Sequence, residues 1–379
     1  MRLFSVQRVA TMVVFANVFA CQAFAQGESA VPFLLIAPNS RASGIGESGT
    51  GSVDDASAMF WNPAALAFLQ GQEISITHAN WLPQFQQSDL FYDYLNYRQS
   101  LEEIGGAVGA SVTYLNLGEF IRTNSNGQEE GRFKAFEFAV TAGYATKVYD
   151  DFALGLNLRF IHSHLSDLGT GNEKGSGVAS TVSADIALMY RPQRLELPLV
   201  GDIGNAFSAG LNLSNLGPKV TYIDAAQADP LPTNLRIGFG YKLVSDEFNE
   251  LTYSLDFSRL LIRRRPEIKD SSGKIIQAAS VDPFYKALFS AWGDGSGLRK
   301  VNISTGLEYW YDKLIALRIG YFYEDPSFGN RKFLTFGAGI RYDIYGFDFS
   351  YISAEQNHPL SDTIRFSLLI GWGVPPKKG

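Results

Sequence analysis

The feature that most constrains this chain is a period of two that keeps returning. In "FALGLNLRF" Phe152, Leu154, Leu156, Leu158 and Phe160 share one face, and Ala153, Gly155, Asn157 and Arg159 share the other, because successive side chains of a strand point to opposite sides. The pattern recurs with Leu235, Ile237, Phe239, Tyr241 and Leu243 against Asn234, Arg236, Gly238, Gly240 and Lys242, and again with Ile315, Leu317, Ile319, Tyr321 and Tyr323 against Ala316, Arg318 and Gly320. Ile364, Phe366, Leu368, Ile370 and Trp372 close the chain in the same way. A soluble sandwich also alternates, so alternation by itself leaves lipid and a protein core both open. The second face separates them. It carries Arg159, Asp185, Arg236, Lys242, Asp256, Glu308, Arg318, Arg341, Asp348 and Arg365 among Gly, Ser and Asn, which suits the polar lumen of a membrane barrel with an apolar outer band. Tyr190, Tyr241, Tyr309, Trp310, Tyr311, Tyr321, Tyr323, Tyr342, Tyr351 and Trp372 fall near strand ends, where aromatic girdles belong.

The reading is therefore all-β: a membrane β-barrel of about fourteen antiparallel strands. The expected spans are 72 to 80, 88 to 99, 104 to 117, 132 to 147, 152 to 164, 178 to 191, 206 to 214, 234 to 243, 251 to 260, 301 to 311, 314 to 323, 332 to 342, 346 to 353 and 362 to 373. Short turns at 100 to 103, 149 to 151, 311 to 313 and 343 to 345 then share one end with both termini. Loops 118 to 131, 165 to 177, 215 to 233 and 261 to 300 share the other, the asymmetry of short periplasmic turns and long extracellular loops. The connection 192 to 205 is long for the periplasmic end, as a slipped strand or a small periplasmic feature would make it.

Other bounds agree. The chain has 379 residues, 46% of them hydrophobic, which excludes disorder. A net charge of -6 without a long charged run excludes nucleic acid as an obvious partner. Arg2 and Arg8, an apolar run from Val9 to Ala20 and Ala23-Phe24-Ala25 read as a signal peptide over 1–25, followed by a hatch region 26–71 and a barrel 72–379. Val18-Phe19-Ala20-Cys21 is a weaker lipoprotein alternative. With Cys21 removed, no disulfide or cysteine-bound metal is expected. No later stretch has the ~18 apolar residues of a membrane helix.

Between the glycine-rich "SRASGIGESGTGS" and the first strand lies "MFWNPAALAF". Asn62 is a favoured N-cap and Pro63 a favoured first helical residue, so a short helix should start there, with Asp54 or Asp55 capping the piece before it. Trp61, Phe60, Leu66 and Phe68 need burial, and the lumen offers it. "GIGESG" fits G-x-G-x-x-G literally but lacks the flanking strand and helix of a dinucleotide site, so glycine packing inside a barrel is the simpler reading. His162 and His164 share a strand face without a third ligand nearby, and an interfacial position explains them better than a metal. No G-x-S-x-G elbow is present, and Gly46-Glu47-Ser48-Gly49-Thr50 ends in threonine. Lumen charges are expected to pair with one another rather than line a transport path.

The run "PFLLIAPNSRASGIGESGTGSVDDASAMFWNPAALAFLQG", together with "HANWLPQF", "GLEYWYDKLIALRIGYFYEDPSFGNRKFLTFGAGIRYD" and "HPLSDTIRFSLLIGW", resembles FadL-like barrels and, within them, the PorV (also called LptO) branch. Asn-Pro-Ala alone points to the superfamily, and "YFYEDPSFGNRK" to the branch; PorQ is a close relative. The resemblance implies a fourteen-strand outer-membrane barrel with an N-terminal plug, exported by its signal peptide in a Gram-negative cell and serving type IX secretion. Such proteins accept cargo by a folded C-terminal signal domain at the translocon and deliver it to the attachment complex. A link to lipopolysaccharide deacylation is also implied, but no catalytic constellation is visible to carry it.

The expected function is thus a non-enzymatic cargo shuttle without cofactor or metal, whose partners are cargo signal domains, translocon and attachment proteins and outer-membrane lipid or lipopolysaccharide. Trp61, Asn62, Pro63 and Ala64 shape the hatch. In the 261–300 loop, "DPFYKALFSAWGDG" reads as a helical turn opened by Asp282 and Pro283. Phe284, Tyr285, Phe289 and Trp292 are candidate cargo anchors, and Arg263, Arg264 and Arg265 candidates for acidic partners or lipopolysaccharide phosphates. The alternatives are a FadL-like channel for hydrophobic small molecules, gated by the hatch, and a soluble periplasmic β-protein.

Overall fold

The computed structural model describes residues 29–85, 89–124, 126–167, 176–223, 228–355 and 358–373; the expected signal peptide and Cys21 lie outside them. Fourteen strands form one closed barrel: β1 (Gln72–Asn80), β2 (Phe91–Leu101), β3 (Gly106–Thr123), β4 (Glu129–Tyr149), β5 (Phe152–Ser166), β6 (Gly177–Tyr190), β7 (Phe207–Leu216), β8 (Asn234–Ser245), β9 (Asn249–Leu260), β10 (Asn302–Tyr311), β11 (Ile315–Tyr323), β12 (Lys332–Tyr342), β13 (Tyr345–Ala354) and β14 (Ile364–Trp372). Neighbours in sequence are neighbours in the sheet, and β14 pairs antiparallel with β1, Ile74 opposite Ile370. Closure leaves no sheet edge in lipid, which is the condition for strands to span a bilayer.

The alternation sorts as read. On β5, Leu154, Leu156, Leu158 and Phe160 are exposed on the outer wall, while Ala153, Asn157, Arg159, Ile161 and Ser163 are buried inside. Tyr149, Tyr311, Tyr342, Tyr345 and Trp372 are exposed at the short-turn end, as a girdle requires. Trp310 departs from the girdle expectation. Lying between outward Tyr309 and Tyr311, it faces the lumen, where Arg41, Arg318 and Arg341 surround its ring at 6.0, 5.4 and 5.2 Å.

Three connections also differ from the expected spans. β3 and β4 run on through most of 118–131, with a bulge between Asn116 and Gly118, Glu119 opposite Lys134, and Phe120 stacked on Phe133 at 5.6 Å. The 192–205 connection holds a two-residue ribbon, Glu196–Leu197 with Gly201–Asp202, which accounts for its length. The 261–300 loop contains two more ribbon stretches, Arg264–Arg265 with Ser280–Val281 and Ile268–Lys269 with Ile275–Gln277.

Candidate functional site

Residues 29–71 pack against the inner face of the wall. They form a 3-10 turn (Pro32–Leu35), helix α1 (Ser40–Gly44), helix α2 (Ala58–Trp61) and a second 3-10 turn (Pro63–Phe68). The piece after Asn62 is 3-10 rather than α-helical. Asn62 caps it as expected, its Oδ1 accepting from Ala64 N at 3.1 Å. Ser57, not Asp54 or Asp55, is the N-cap of α2, and Asp55 Oδ1 instead accepts from Ser57 N at 2.8 Å. Trp61, Ala64 and Asn62 have no exposed surface, and Pro63 is buried beside them.

Polar ties fix this segment to strands around the barrel. Asn62 Nδ2 donates to Leu188 O on β6 at 2.9 Å and to Thr50 O at 3.0 Å. Asn212 Nδ2 on β7 donates to Trp61 O at 3.0 Å, and Trp61 Nε1 donates to Asn39 Oδ1 at 2.9 Å. Asp256 Oδ2 on β9 accepts from Gly49 N and Thr50 N at 3.0 and 2.8 Å. Arg41 reaches Glu308 on β10 at 2.6 Å and also pairs with Asp54 and Asp55. Glu308 in turn holds Arg318 at 2.6 Å, and Asp348 holds Arg318 and Arg341 at 2.8 and 2.7 Å. Arg159 and Asp185 pair at 2.7 Å. These lumen charges are thus paired with one another, the arrangement that makes buried ions tolerable, whereas Asp256 is met by backbone N–H groups and Arg365 has Glu47 at 3.9 Å without a hydrogen bond.

Backbone meets backbone where wall residues lack side chains. A Cβ on Gly320 would stand 2.0 Å from Gly46 N, and one on Gly155 would stand 2.2 Å from Ala64 N. The "GIGESG" stretch therefore serves flush packing, its Gly46 N donating to Thr335 Oγ1 at 2.8 Å. Toward the short-turn end the segment leaves a cavity of about 370 Å³, lined by Arg41, Asp54, Phe68, Lys147, Arg191 and Glu308 among others.

At the long-loop end, helix α3 (Phe284–Ser290) follows the ribbons. Tyr285 and Phe289 are 65% and 81% exposed and Trp292 44%, with Leu298 beyond them at 79%. The spacing of four residues puts Tyr285 and Phe289 on one face of α3, and Trp292 follows on the 3-10 turn Ala291–Gly293. Phe284 is half-buried, and Ala287 and Ala291 turn inward. The arginines are otherwise engaged: Arg264 Nη2 bonds Asp229 Oδ1 at 2.7 Å, and Arg265 forks onto Asp282 at 3.2 and 3.0 Å. The Asp282 carboxyl is held well below the usual carboxylate range, first by the Arg265 hydrogen bond and then by that from Ser290. Arg263 is half-buried, and its carbonyl accepts from Asp282 N at 3.0 Å. Sequence reasoning missed these acidic partners, and Arg259 under α3 with them, because the pairs join residues far apart in sequence: Arg264 to another loop, Arg265 across the ribbon, and Arg259 from the end of β9.

His162 and His164 sit on the outer wall, bonded to Ser180 Oγ at 2.8 Å and Asp167 Oδ1 at 2.7 Å. Among the described residues no group of three or more His, Cys, Asp or Glu side chains could hold a metal ion.

Among solved structures, the Ralstonia pickettii toluene transporter TbuX is similar at 13% identity over 89% of this chain and 98% of that one, with a TM-score of 0.50. The deltaS2 mutant of the TodX monoaromatic hydrocarbon channel is similar at 13% identity over 88% and 97%, also at 0.50. At such identity the likeness bears on fold alone, that of FadL-like outer-membrane barrels. No curated protein matches the chain. Residues 22–267 match the family model described as "Type IX secretion system protein PorV". That match spans well over half of the sequence, and the chain belongs to the PorV family of type IX secretion outer-membrane proteins.

Proposed function

We propose that the protein is a non-enzymatic shuttle of type IX secretion: it binds the folded C-terminal signal domain of a cargo protein and carries it from the translocon to the attachment complex. The observation that carries the reading is a division of labour along the barrel axis. The lumen is occupied by a segment fastened to β6, β7, β9 and β10, whereas α3 and the 3-10 turn after it (Ala291–Gly293) show Tyr285, Phe289 and Trp292 to solvent. Large rings on a fixed backbone lose little entropy when a partner covers them, and they are the residues that dominate protein interfaces. In this reading residues 29–71 are a plug that stays seated.

The test is capture of a purified cargo signal domain by the full-length protein in lipid nanodiscs. Deleting 264–298, or replacing Tyr285, Phe289 and Trp292 together by Ala, is expected to abolish capture, because hot-spot rings lose about 2 kcal/mol or more each. Unchanged capture by both variants would reject the placement.

A further inference from the structure

The ribbon of the 261–300 loop has two unlike outer edges. One strand runs through Arg264, Arg265, Pro266, Glu267, Ile268 and Lys269. Proline offers no N–H, and charges discourage a neighbour, so this edge carries the usual guards against strand pairing. Glu267 and Lys269 even pair along it at 2.9 Å. The other strand runs Ile275-Ile276-Gln277-Ala278-Ala279-Ser280-Val281, with no charge, proline or glycine. Residues 271–280 are exposed throughout, Ile275 at 52% and Ile276 at 68%.

The base is fixed while the tip is open. Arg264 ties it to Asp229, Arg265 to Asp282, and Lys219 Nζ donates to Val281 O at 2.7 Å. Ser290 Oγ donates to Asp282 Oδ2 at 2.7 Å, which joins the base to α3. The ribbon is thus held at a set position with one strand unguarded.

We propose that the outer edge of 275–280 is a strand-addition site, and that its occupant is an extended segment of the cargo's folded C-terminal signal domain; this rests on the shuttle reading above. Along such an edge the backbone presents N–H and C=O groups at strand spacing, and their complement is another extended backbone. Two strands alone are marginal in water, and a third with apolar side chains completes a sheet. Ile275 and Ile276 point to opposite faces, so the added strand gains an apolar neighbour on each side. Lys219 on Val281 O ends the site at its base.

The experiment uses the full-length protein in nanodiscs and, as probe, a purified folded C-terminal signal domain of a secreted cargo. Hydrogen exchange is read at the amides of 275–280 with and without probe, and affinity is measured for wild type, Ala279→Pro and Ile276→Lys. Ala279 lies between the two paired stretches, so proline there breaks no ladder bond within the ribbon. Expected are slowed exchange across 275–280 on binding and about tenfold weaker binding for each variant, the loss of roughly one backbone hydrogen bond or one apolar contact. Binding by wild type with unchanged exchange at these amides, or undiminished binding by both variants, overturns strand addition and leaves the shuttle reading standing. Failure of wild type to bind the probe overturns both.

Discussion

The guanidinium carbon of Arg259 stands 4.4 Å from the centre of the Trp292 ring, so a residue at the end of β9 holds the aromatic turn that follows α3. The same side chain donates to Ala291 O at 2.8 Å and to Ser296 Oγ at 3.3 Å, and lies 3.5 Å from Asp294. It therefore meets carbonyls left open after the helix and supplies positive charge at that end, both favourable there. Arg259→Ala is expected to speed amide exchange over 284–300 by about tenfold or more, through local opening. Arg259→Lys should not restore it, because an ammonium lacks the planar fork. Exchange unchanged in the Ala variant would show that α3 is held by other means.

Trp61 has no exposed surface and holds Asn39 through its indole N–H. Trp61→Ala should cost about 3–5 kcal/mol, the range for a large buried ring. Urea unfolding of the purified barrel reads this as a lower midpoint at unchanged slope. A loss below about 1 kcal/mol would mean that the plug contributes little to stability.

Gly320→Ala places a methyl 2.0 Å from the Gly46 nitrogen, whereas Gly371→Ala meets nothing nearer than 3.7 Å. The first should fail to give the compact, heat-modifiable gel form of a folded barrel, and the second should give it normally. Normal folding of both would mean that residues 44–46 can retreat from the wall.

Ser40 and Ser367 bring their hydroxyl oxygens to 2.9 Å inside the barrel. Ser40→Cys with Ser367→Cys is therefore expected to form a disulfide, which needs two side chains already facing each other. Under the proposed shuttle reading, in which residues 29–71 stay seated, secretion through the tethered protein should match wild type. A secretion defect restored by reductant would instead require a moving plug.

Asp282 and Asp294 anchor the long loop. Burial pushes the Asp294 carboxyl up, but hydrogen bonds from Lys300 and Ser296 outweigh it and hold the group at about 2. Both folded-state values lie below the unfolded carboxylate value of about 3.9. Stability from such groups is fully present above the unfolded value and drains away as pH falls through the folded one. Protease resistance of the loop should be flat from pH 8 to pH 5, by estimate, and decline only below about pH 4. A decline between pH 7 and pH 5 would point to another group.

How far the sequence revealed this architecture depended on whether a strand faces two different media. β5 lies between lipid and a packed lumen, so Leu158 and Arg159 announce their sides. The upper parts of β3 and β4 carry Phe120 and Ile121 on opposite faces, so neither face is consistently oily, and Glu119 opposite Lys134 reads like loop. The ribbon at 264–281 hid for the same reason, with exposed residues on both faces. Trp310 was misplaced because an aromatic run was read without its alternation. The charge of Arg264 and Arg265 was legible, but its neutralisation depends on how two loops meet, for Asp229, and on how one loop folds back on itself, for Asp282. The cap at Asn62 was legible, since a cap is a local structure, but its bonds to Thr50 O and Leu188 O come from the tertiary fold and were not.

The fit of Gly155 and Gly320 against the inner segment also bears on how freely the sequence can vary. A Cβ at either position would stand where the backbone of Ala64 or Gly46 already lies. Wall and guest are therefore complementary to within a single methyl group, and a side chain gained on one needs a retreat of the other.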